Sequence, residues 1–367
     1  MAPGRGGGWT TVETVSPRDP VADLRRIAFL LERANEATYR VRAFRSAARA
    51  IAALDPAELA TRVAEGTLRQ LPGVGDVTAR CIAESLAGEE PVYLRRLLAT
   101  EGTDLSEAAA ALRAALRGDC HTHSNWSDGG SSIEEMALAA VDLGHEYLVL
   151  TDHSPRLTVA NGLSAARLRQ QIAYVAELNA ALPEGFRILT GIEVDILADG
   201  SLDQDPELLA QLDVVVGSVH SGLRDPADVM TRRMLAAIAN PHLDVLGHCT
   251  GRKVPAAGAG SDRGHRPGRT RPESTFDADA VFEACVRYDK AVEINCRPDR
   301  LDPPKRLLRL AVEAGCRFSV DTDAHAPGQL DWLRNGCERA AQCGVDPARV
   351  VNTWPVEELL AWTRSHG

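Results

Sequence analysis

The chain has 367 residues, of which 44% are hydrophobic and 25% charged, a composition typical of a globular rather than a disordered protein. Its formal net charge of −10 argues against a surface that binds nucleic acid over its whole area. No run of about 18 apolar residues occurs, and the N-terminus lacks the apolar core of a secretory signal, so neither a membrane span nor secretion is expected. The eight cysteines are scattered without a CxxC pair, which favours reduced thiols and a cytoplasmic location.

The first third of the chain is predicted to be helical. Residues 1–17 are Gly-rich and are expected to form a flexible tail, and residues 18–105 are expected to form a helical domain. Apolar residues recur there at helical spacing, at Val21, Leu24, Ile27, Leu31 and Ala34 and again at Val41, Phe44, Ala48 and Ile51. The segment LRQLPGVGDVTARCIAESL at residues 68–86 interrupts this pattern and then resumes it. A connecting helix is predicted at residues 106–117.

The interruption has two interpretations that the pattern alone leaves open. A turn through Gly73 and Gly75 ahead of a helix presents backbone amides to a phosphate, as in a DNA-binding helix-hairpin-helix. Arg42, Arg45 and Arg49 fall on one face of a preceding helix and are candidate phosphate contacts. In the alternative interpretation, LPGVG is a plain turn between helices and the arginines form a solvated face.

From residue 118 the rhythm changes to short apolar runs separated by helical stretches. Seven such runs occur: GDCHTH, EYLVLTDH, RILTGIEVDI, DVVVGSVH, LDVLGHC, AVEINC and RFSVDTDAH. Alternating strands and helices predict an α/β fold with parallel strands, closed into a barrel related to the eight-stranded kind. This domain is expected at residues 118–355, followed by a C-terminal helix or tail at 356–367. Residues 253–274, rich in Gly, Pro and Arg, are predicted to be a mobile surface loop, either an insertion or a nucleic-acid contact.

Six of the seven predicted strands end in potential metal ligands, whereas the sixth carries Asn295 and Arg297. The candidates are His121, His123, Asp128, His153, Glu193, His220, His248, Asp323 and His325. In a parallel barrel these strand ends open on one face, so the nine groups are expected to converge. Several buried carboxylates need compensating cations, and mixed imidazole and carboxylate ligands suit zinc, manganese or iron. Two or three divalent ions are therefore expected.

These motifs resemble the PHP family, the polymerase and histidinol phosphatase domain. The matching blocks are HTHSNWSDG, TDHS, GIEVDI, GSVHS, GHCTGR, EINCRPDRLD and DTDAH, in the order of that family. The resemblance implies a distorted seven-stranded barrel with three metal ions. It implies that one metal is held by His121, His123, Glu193 and Asp323, a second by Glu193, His220 and His248, and a third by Asp128, His153 and His325.

The helical region resembles the N-terminal domain of family X DNA polymerases, whose bacterial members carry a C-terminal PHP domain. Here the PHP block begins directly after residue 117, which leaves no space between the two for a polymerase core, so polymerase activity is not expected. Of the 41 lysines and arginines, three are lysines. They are Lys253, Lys290 and Lys305, so the helical region contains none. Because Schiff-base chemistry needs a primary amine, a lysine-dependent lyase in the helical region is excluded.

The pieces together predict a metal-dependent phosphoesterase that acts on DNA ends, as a 3′–5′ exonuclease, 3′-phosphatase or related repair nuclease. Arg297, and more weakly Arg252, are candidates to bind the phosphate, although a structural salt bridge is an equal alternative for both. The helical domain would bind DNA without reading its sequence. A small-molecule phosphatase of the histidinol-phosphate type is the main alternative, and a DNA-end-binding scaffold with a structural metal cluster is the other. The oligomeric state is left open.

Overall fold

The computed structural model describes residues 18–99, 105–255 and 270–366. Two compact units account for them, a helical unit of residues 18–31 and 36–99 and a barrel unit of residues 105–366 with the segment 32–35. The predicted tail at 1–17 and most of the predicted loop at 253–274 lie outside the described residues. The ends of that loop pair with each other through Lys253 and Arg271, each amide donating to the other's carbonyl at 2.9 Å.

The helical unit contains five α-helices. They are α1 (Pro20–Arg33), α2 (Thr38–Ala52), α3 (Pro56–Ala64), α4 (Asp76–Leu86) and α5 (Val92–Leu98), with a 3-10 turn at Leu68–Gln70. The apolar positions predicted at helical spacing mostly face a shared core, where Leu24, Ile27 and Phe44 are almost fully buried. Ala34 lies beyond the end of α1 and is exposed. Each helix therefore depends on this core for its stability.

The barrel unit has the predicted seven parallel strands in chain order. They are β1 (Gly118–Thr122), β2 (Tyr147–Leu150), β3 (Arg187–Asp195), β4 (Val214–Ser218), β5 (Val245–Leu246), β6 (Ala291–Asn295) and β7 (Arg317–Asp321). The helices are α6 (Glu107–Ala115), α7 (Ile133–Asp142), α8 (Ala165–Asn179), α9 (Pro206–Leu209), α10 (Ala227–Ile238), α11 (Ala278–Arg287), α12 (Lys305–Ala314), α13 (Leu333–Cys343) and α14 (Val356–Arg364), with 3-10 turns at Thr158–Ala160, Pro327–Trp332, Pro347–Arg349 and Val351–Thr353. This nearly closed α/β barrel confirms the predicted fold class.

Two apolar layers use alternate residues of the same strands. Leu189 of β3 and Val216 of β4 belong to the cluster inside the barrel, whereas Ile192 and Val215 pack outward against the helices. Side chains of parallel strands are buried on both faces, and successive residues point to opposite faces. Glu193, four residues after Leu189, therefore points into the barrel at its C-terminal end.

Side chains, more than a backbone ladder, join β1 to β7. The Asp321 carboxylate accepts from the Cys120 amide at 2.9 Å, and the Asp119 carboxylate accepts from the Thr322 amide at 3.3 Å. Asn352 donates to the Gly118 and Val320 carbonyls at 3.1 and 2.7 Å. Burial raises the pKa of Asp119 to about 7, against the effect of its hydrogen bonds with Thr322 and His121. These polar contacts close the barrel where the described backbone pairing is an isolated bridge between Thr122 and Ala324.

The C-terminal segment seals the opposite end of the barrel. Leu359, Leu360 and Trp362 of α14 are buried in the interior cluster. His366 lies 2.7 Å from Asp244, measured from Nδ1 to Oδ1, and stacks edge-on against Trp362. The predicted C-terminal helix or tail is thus part of the barrel unit. All eight cysteines are free thiols and buried, and no helix among the described residues combines the length and apolarity that crossing a membrane requires.

His145, in the turn between α7 and β2, provides a test of the barrel's stability. It is 4% exposed, and within the described chain neither ring nitrogen has a hydrogen-bond partner. Burial lowers its pKa to about 3, and the charge of Arg113 adds to the effect. In the unfolded chain this imidazole binds a proton near pH 6.5, whereas in the folded chain it does not. The free energy of unfolding is therefore unaffected by His145 above that pH and falls by about 1.4 kcal/mol per pH unit below it.

We expect His145→Leu to remove this dependence. Thermal unfolding followed by calorimetry between pH 7 and pH 5, in the same metal-containing buffers, should show a smaller decrease in Tm for the variant than for wild type. Equal decreases would show that His145 is not held neutral in the folded protein.

Candidate metal centre

Glu193 lies at the centre of the barrel's C-terminal face with five imidazoles around its carboxylate. The nitrogen-to-oxygen distances are 3.4 Å to His121, 3.7 Å to His123, 2.8 Å to His153, 3.3 Å to His220 and 2.9 Å to His248. The Glu193 side chain is 1% exposed. Five of the nine residues predicted from the sequence thus surround a sixth.

The other three predicted residues lie beside this group. Asp128 is 3.5 Å from His153 and 3.3 Å from His325, and Asp323 is 3.5 Å from both His123 and His325, each measured from a carboxylate oxygen to a ring nitrogen. His123 and His325 have ring centroids 4.3 Å apart. The barrel therefore brings all nine predicted residues together.

The separations match those of ligands around a shared ion. Nitrogen and oxygen ligands about 2.1 Å from a tetrahedral ion are about 3.4 Å from each other. Most of the distances above are 3.3–3.7 Å, too long for a good hydrogen bond. Ligand atoms within 4.8 Å of one another form three overlapping groups: His123, Asp128, His153 and His325; His121, His123 and Glu193; and His153, Glu193 and His220. His123, His153 and Glu193 each belong to two groups.

The same atoms lack hydrogen-bond partners. Within the described chain, both oxygens of Glu193 and both ring nitrogens of His123 and His220 are buried and make no hydrogen bond. Nε2 of His121 and Nδ1 of His248 share this property. Each unsatisfied buried polar atom costs about 1–3 kcal/mol, so the cluster is unfavourable without ions. Bound divalent ions would satisfy these atoms, and the donor set fits them.

Two ligands of the cluster, Glu193 and His123, are held in the charge state that binds metal. Burial raises the pKa of Glu193, but the imidazoles of His220 and His121 outweigh it and hold this pKa well below the ordinary value. Burial, reinforced by His325 and His153, holds the pKa of His123 well below the ordinary value. Ionised carboxylate and neutral imidazole are the forms that bind metal. Burial lowers the pKa of His220, but the charge of Glu193 and the neighbouring carboxylate of Asp195 outweigh it and raise this pKa to about 9, so metal binding there releases a proton.

Asp323 has a strained backbone with a positive φ of 52°. Nη1 of Arg297 contacts its carbonyl oxygen at 3.3 Å and its carboxylate at 3.2 Å, and Nδ1 of His325 is 2.9 Å from the same carbonyl oxygen. A left-handed non-glycine residue persists only where its surroundings hold it, and such residues cluster at functional sites. Here the strain aims the carboxylate at His123.

Arg300 was not singled out from the sequence, and the structure places it beside the candidate metal ligands. Its Nε is 3.1 Å from the Asp323 carboxylate, its side chain is 11% exposed, and its Nε and Nη1 make no hydrogen bond within the described chain. Arg252, which was predicted to bind phosphate, instead donates to the carbonyls of Arg300, at 3.0 Å, and Leu301, and lies 3.7 Å from Glu273. Arg252 thus supports the segment that carries Arg300, and its contact with phosphate stays a prediction.

Glu293, which was not singled out from the sequence, contacts two of the predicted ligands from strand six. Its Oε1 is 2.6 Å from Nδ1 of His121, and its Oε2 accepts from the His248 amide at 2.5 Å and from Asn295 at 3.3 Å. A carboxylate on Nδ1 fixes the tautomer in which Nε2 of the same ring offers a lone pair. The sequence signal was alternation, since Glu293 lies between the outward-facing Val292 and Ile294.

In the helical unit, the turn predicted to bind phosphate packs directly on α2. Gly73 has φ +86°, and a Cβ there would be 3.1 Å from the Cβ of Ser46, so glycine is required for the approach. The Val74 amide donates to the Leu71 carbonyl at 3.1 Å, and the Gly75 amide donates to the Thr78 hydroxyl at 2.9 Å. These two amides are therefore already engaged, although the sequence had suggested the amides of this turn as contacts for a phosphate.

The three predicted arginines of α2 flank Ser46 and so lie beside this turn. Arg42 and Arg49 are exposed, whereas Arg45 is half-buried and has a partner. Residues three and four apart share one face of a helix. The structure thus brings the turn and the arginine face together within the helical unit.

Comparison with known proteins agrees with this architecture. Residues 119–296 match the PHP domain, and residues 18–91 match a helix-hairpin-helix domain. The DNA polymerase/3′-5′ exonuclease PolX of Bacillus subtilis (strain 168) is 39% identical over 249 residues, which cover 68% of this chain and 41% of that protein. A protein named probable phosphatase from Thermoanaerobacter sp. (strain X514) is 28% identical, with 64% of this chain and 89% of that protein covered. A histidinol phosphate phosphatase of Lactococcus lactis, solved with zinc, L-histidinol and phosphate, superposes with a TM-score of 0.40 at 20% identity over 62% of this chain and 92% of that one.

The barrel and its ligand cluster define a metal-dependent phosphoesterase that uses divalent ions. The chain contains a PHP domain at residues 119–296, preceded by a helix-hairpin-helix domain at residues 18–91. Neither of the two matched domains is a polymerase domain.

The contact between Glu293 and His121 generates a prediction. Glu293→Gln removes the carboxylate that orients His121, and loss of such a partner typically lowers metal affinity about 10- to 100-fold. Calorimetric titration of the chelated protein with Mn²⁺ or Zn²⁺ should show this loss. Glu283→Gln, the same exchange at an exposed position of α11, is the matched control. Equal affinities of the two variants would contradict a role for Glu293 in the centre.

Proposed function

We propose that the nine clustered residues hold two or three zinc, manganese or iron ions for hydrolysis of phosphoesters. Glu193 would contribute to more than one of these ions, because its two oxygens face different imidazoles, Oε2 facing His121 and Oε1 facing His220. Asp128 and His325 contribute to the outermost position, where Asp128 is 37% exposed. That position is therefore the one nearest the solvent and the substrate.

Arg297 and Arg300 are the proposed phosphate-binding residues of the chain itself. Both guanidiniums contact Asp323. The guanidinium of Arg300 has buried N–H groups without an acceptor in the described chain. A phosphate oxygen would supply that acceptor in a charge-assisted hydrogen bond. Arg300 thus has the stronger geometric support, and Arg297 also holds Asp323 in its strained conformation.

Divalent ions bound in such a site supply activation of water for attack and neutralisation of charge on the phosphate. The chain's part is to orient the ligands, and the fixed His121–Glu293 pair and the Asp323–Arg297 pair do so. The buried position of Glu193 excludes bulk water from the floor of the site. Preorganised charges of this kind act without reorganisation during the reaction.

DNA ends are the proposed substrate, with a 3′–5′ exonuclease or 3′-phosphatase reaction in DNA repair. The helix-hairpin-helix domain and the name of the PolX relative support this proposal. The chain spans 41% of that relative's length, so the activities named for the whole relative are carried over as hypotheses. The probable phosphatases among the relatives support the alternative, a phosphatase for small molecules.

The first test is hydrolysis with Mn²⁺ of an end-labelled oligonucleotide, of a 3′-phosphorylated one, and of histidinol phosphate. We expect nucleotide or phosphate release from DNA, reduced at least about 10³-fold in His121→Ala and Asp323→Ala because each loses a group of the metal centre. Elemental analysis of the same samples should show two or three metal ions per wild-type chain and fewer in the variants. Asp279→Ala, an exposed carboxylate on α11, is the control. Turnover of histidinol phosphate alone would favour the small-molecule alternative.

A second test addresses delivery of DNA by the helical unit. The double variant Arg42→Gln/Arg49→Gln should lose about tenfold in kcat/KM on DNA at low salt, with a weaker salt dependence, because two phosphate contacts are removed. Hydrolysis of p-nitrophenyl phosphate should not change. Arg25→Gln/Arg96→Gln removes two exposed arginines from other helices of the same unit and is the charge-matched control. An equal effect of both pairs would assign the loss to overall charge.

A further inference from the structure

Two exposed arginines stand on the rim of the barrel around the metal centre. Arg156 follows β2 and Arg224 follows β4, and within the described chain neither guanidinium has an ion pair or hydrogen bond. We propose that Arg156 and Arg224 bind the phosphates next to the reacting one, so that the barrel itself holds a stretch of single-stranded nucleic acid. This inference rests on the proposed action on DNA ends and adds a surface that the helical unit does not supply.

Both arginines lie within a short reach of the centre. Arg156 is three residues after His153, and Arg224 is four residues after His220. The rings of these two histidines are 5.4 Å apart, measured between centroids. Three to four residues of extended chain span at most about 10–14 Å. This reach corresponds to a few nucleotides of a single strand, so the arginines fall near the phosphates that adjoin the reacting one.

The backbone that carries Arg156 is held in place. The Arg156 amide and the Ser154 hydroxyl both donate to one oxygen of Asp203, at 2.6 and 2.8 Å. The Leu163 amide closes the loop by donating to the His153 carbonyl at 2.7 Å. The side chain of Arg156 therefore projects from a fixed base, which reduces the entropy lost on binding.

The turn that carries Arg224 is fixed in a comparable way. Gly222 has φ +64°, and its carbonyl accepts from the Asp225 amide at 2.8 Å. The Leu223 carbonyl accepts from the Ser274 hydroxyl at 3.1 Å. Arg224 is thus exposed at the tip of a tight turn whose base is anchored.

Within the described chain, no acidic group of these loops forms an ion pair with either arginine. Asp203 accepts the hydrogen bonds from Ser154 and Arg156 N–H described above, and Asp199 accepts from the Ser201 amide and hydroxyl at 3.0 and 2.6 Å. The charge of Asp225 acts on the buried Arg233. Both guanidiniums therefore remain available to phosphate oxygens, and the phosphates of a nucleic acid strand are a partner that offers one to each of them.

The test compares substrates of increasing length. Wild type, Arg156→Gln, Arg224→Gln and the double variant are assayed with Mn²⁺ on p-nitrophenyl phosphate and on single-stranded oligonucleotides of two and ten nucleotides. For the double variant we expect kcat/KM on the decamer to fall about tenfold at low salt, with a salt slope smaller by about 1.4, because each contact with a single strand contributes about 0.7. Activity on p-nitrophenyl phosphate should stay the same. Arg309→Gln, an exposed arginine without a partner in the described chain, on α12, is the matched control and should match wild type.

The outcomes separate this inference from the function on which it rests. If wild type degrades the decamer and the double variant does so equally well, the rim arginines do not bind the strand and the inference is wrong, while the proposed function stands. If wild type hydrolyses p-nitrophenyl phosphate and releases nothing from either oligonucleotide, the proposed action on DNA ends is wrong, and this inference falls with it. An equal loss in Arg309→Gln would likewise overturn the inference, because the effect would then be one of net charge.

Discussion

One buried carboxylate with five imidazoles around it determines that the C-terminal face of the barrel needs compensating positive charge. Glu193 has no hydrogen-bond partner for either oxygen within the described chain and is almost inaccessible to solvent. Such a group is stable only with compensating charge, because burial of an ionised carboxylate alone costs far more than one hydrogen bond returns. Shared divalent ions provide that compensation and at the same time use the imidazole lone pairs. The fold thus carries a local instability that metal binding relieves.

The scaffold makes this arrangement possible by being rigid just below it. Glu293 contacts both the ring of His121 and the backbone amide of His248, and so connects β1 to the end of β5. Asp119 and Asp321 join β1 to β7 at the level beneath, where the described backbone pairing between these strands is an isolated bridge. Interior polar residues in this barrel therefore have two distinct tasks, to hold ions at the top and to replace backbone pairing lower down.

The sequence predicted the fold and the composition of the centre well, because both depend on a repeated pattern. A single His121–His123 pair has several explanations, but acidic or imidazole groups at six strand ends are difficult to explain without a shared pocket. Glu293 and Arg300 were missed because their importance comes from contacts across the barrel, which neighbours in sequence do not reveal. The case of Arg252 is similar: an arginine after a strand can face a phosphate or a backbone carbonyl, and only the path of the 300–301 segment decides between them.

The choice of substrate does not follow from the chemistry of the centre. Ions bound there would contact the phosphate group, and a phosphate monoester on DNA and one on a metabolite share that group. In the helix-hairpin-helix, two amides of the turn are already used, and Asp76 at the start of α4 adds a negative charge that is paired with Arg69 at 2.8 Å. The amide contribution to phosphate binding is therefore limited to the groups that remain, at Gly73 and in the first turn of α4. It follows that arginine side chains, more than the turn itself, must supply the affinity that would distinguish a DNA strand from a small phosphoester.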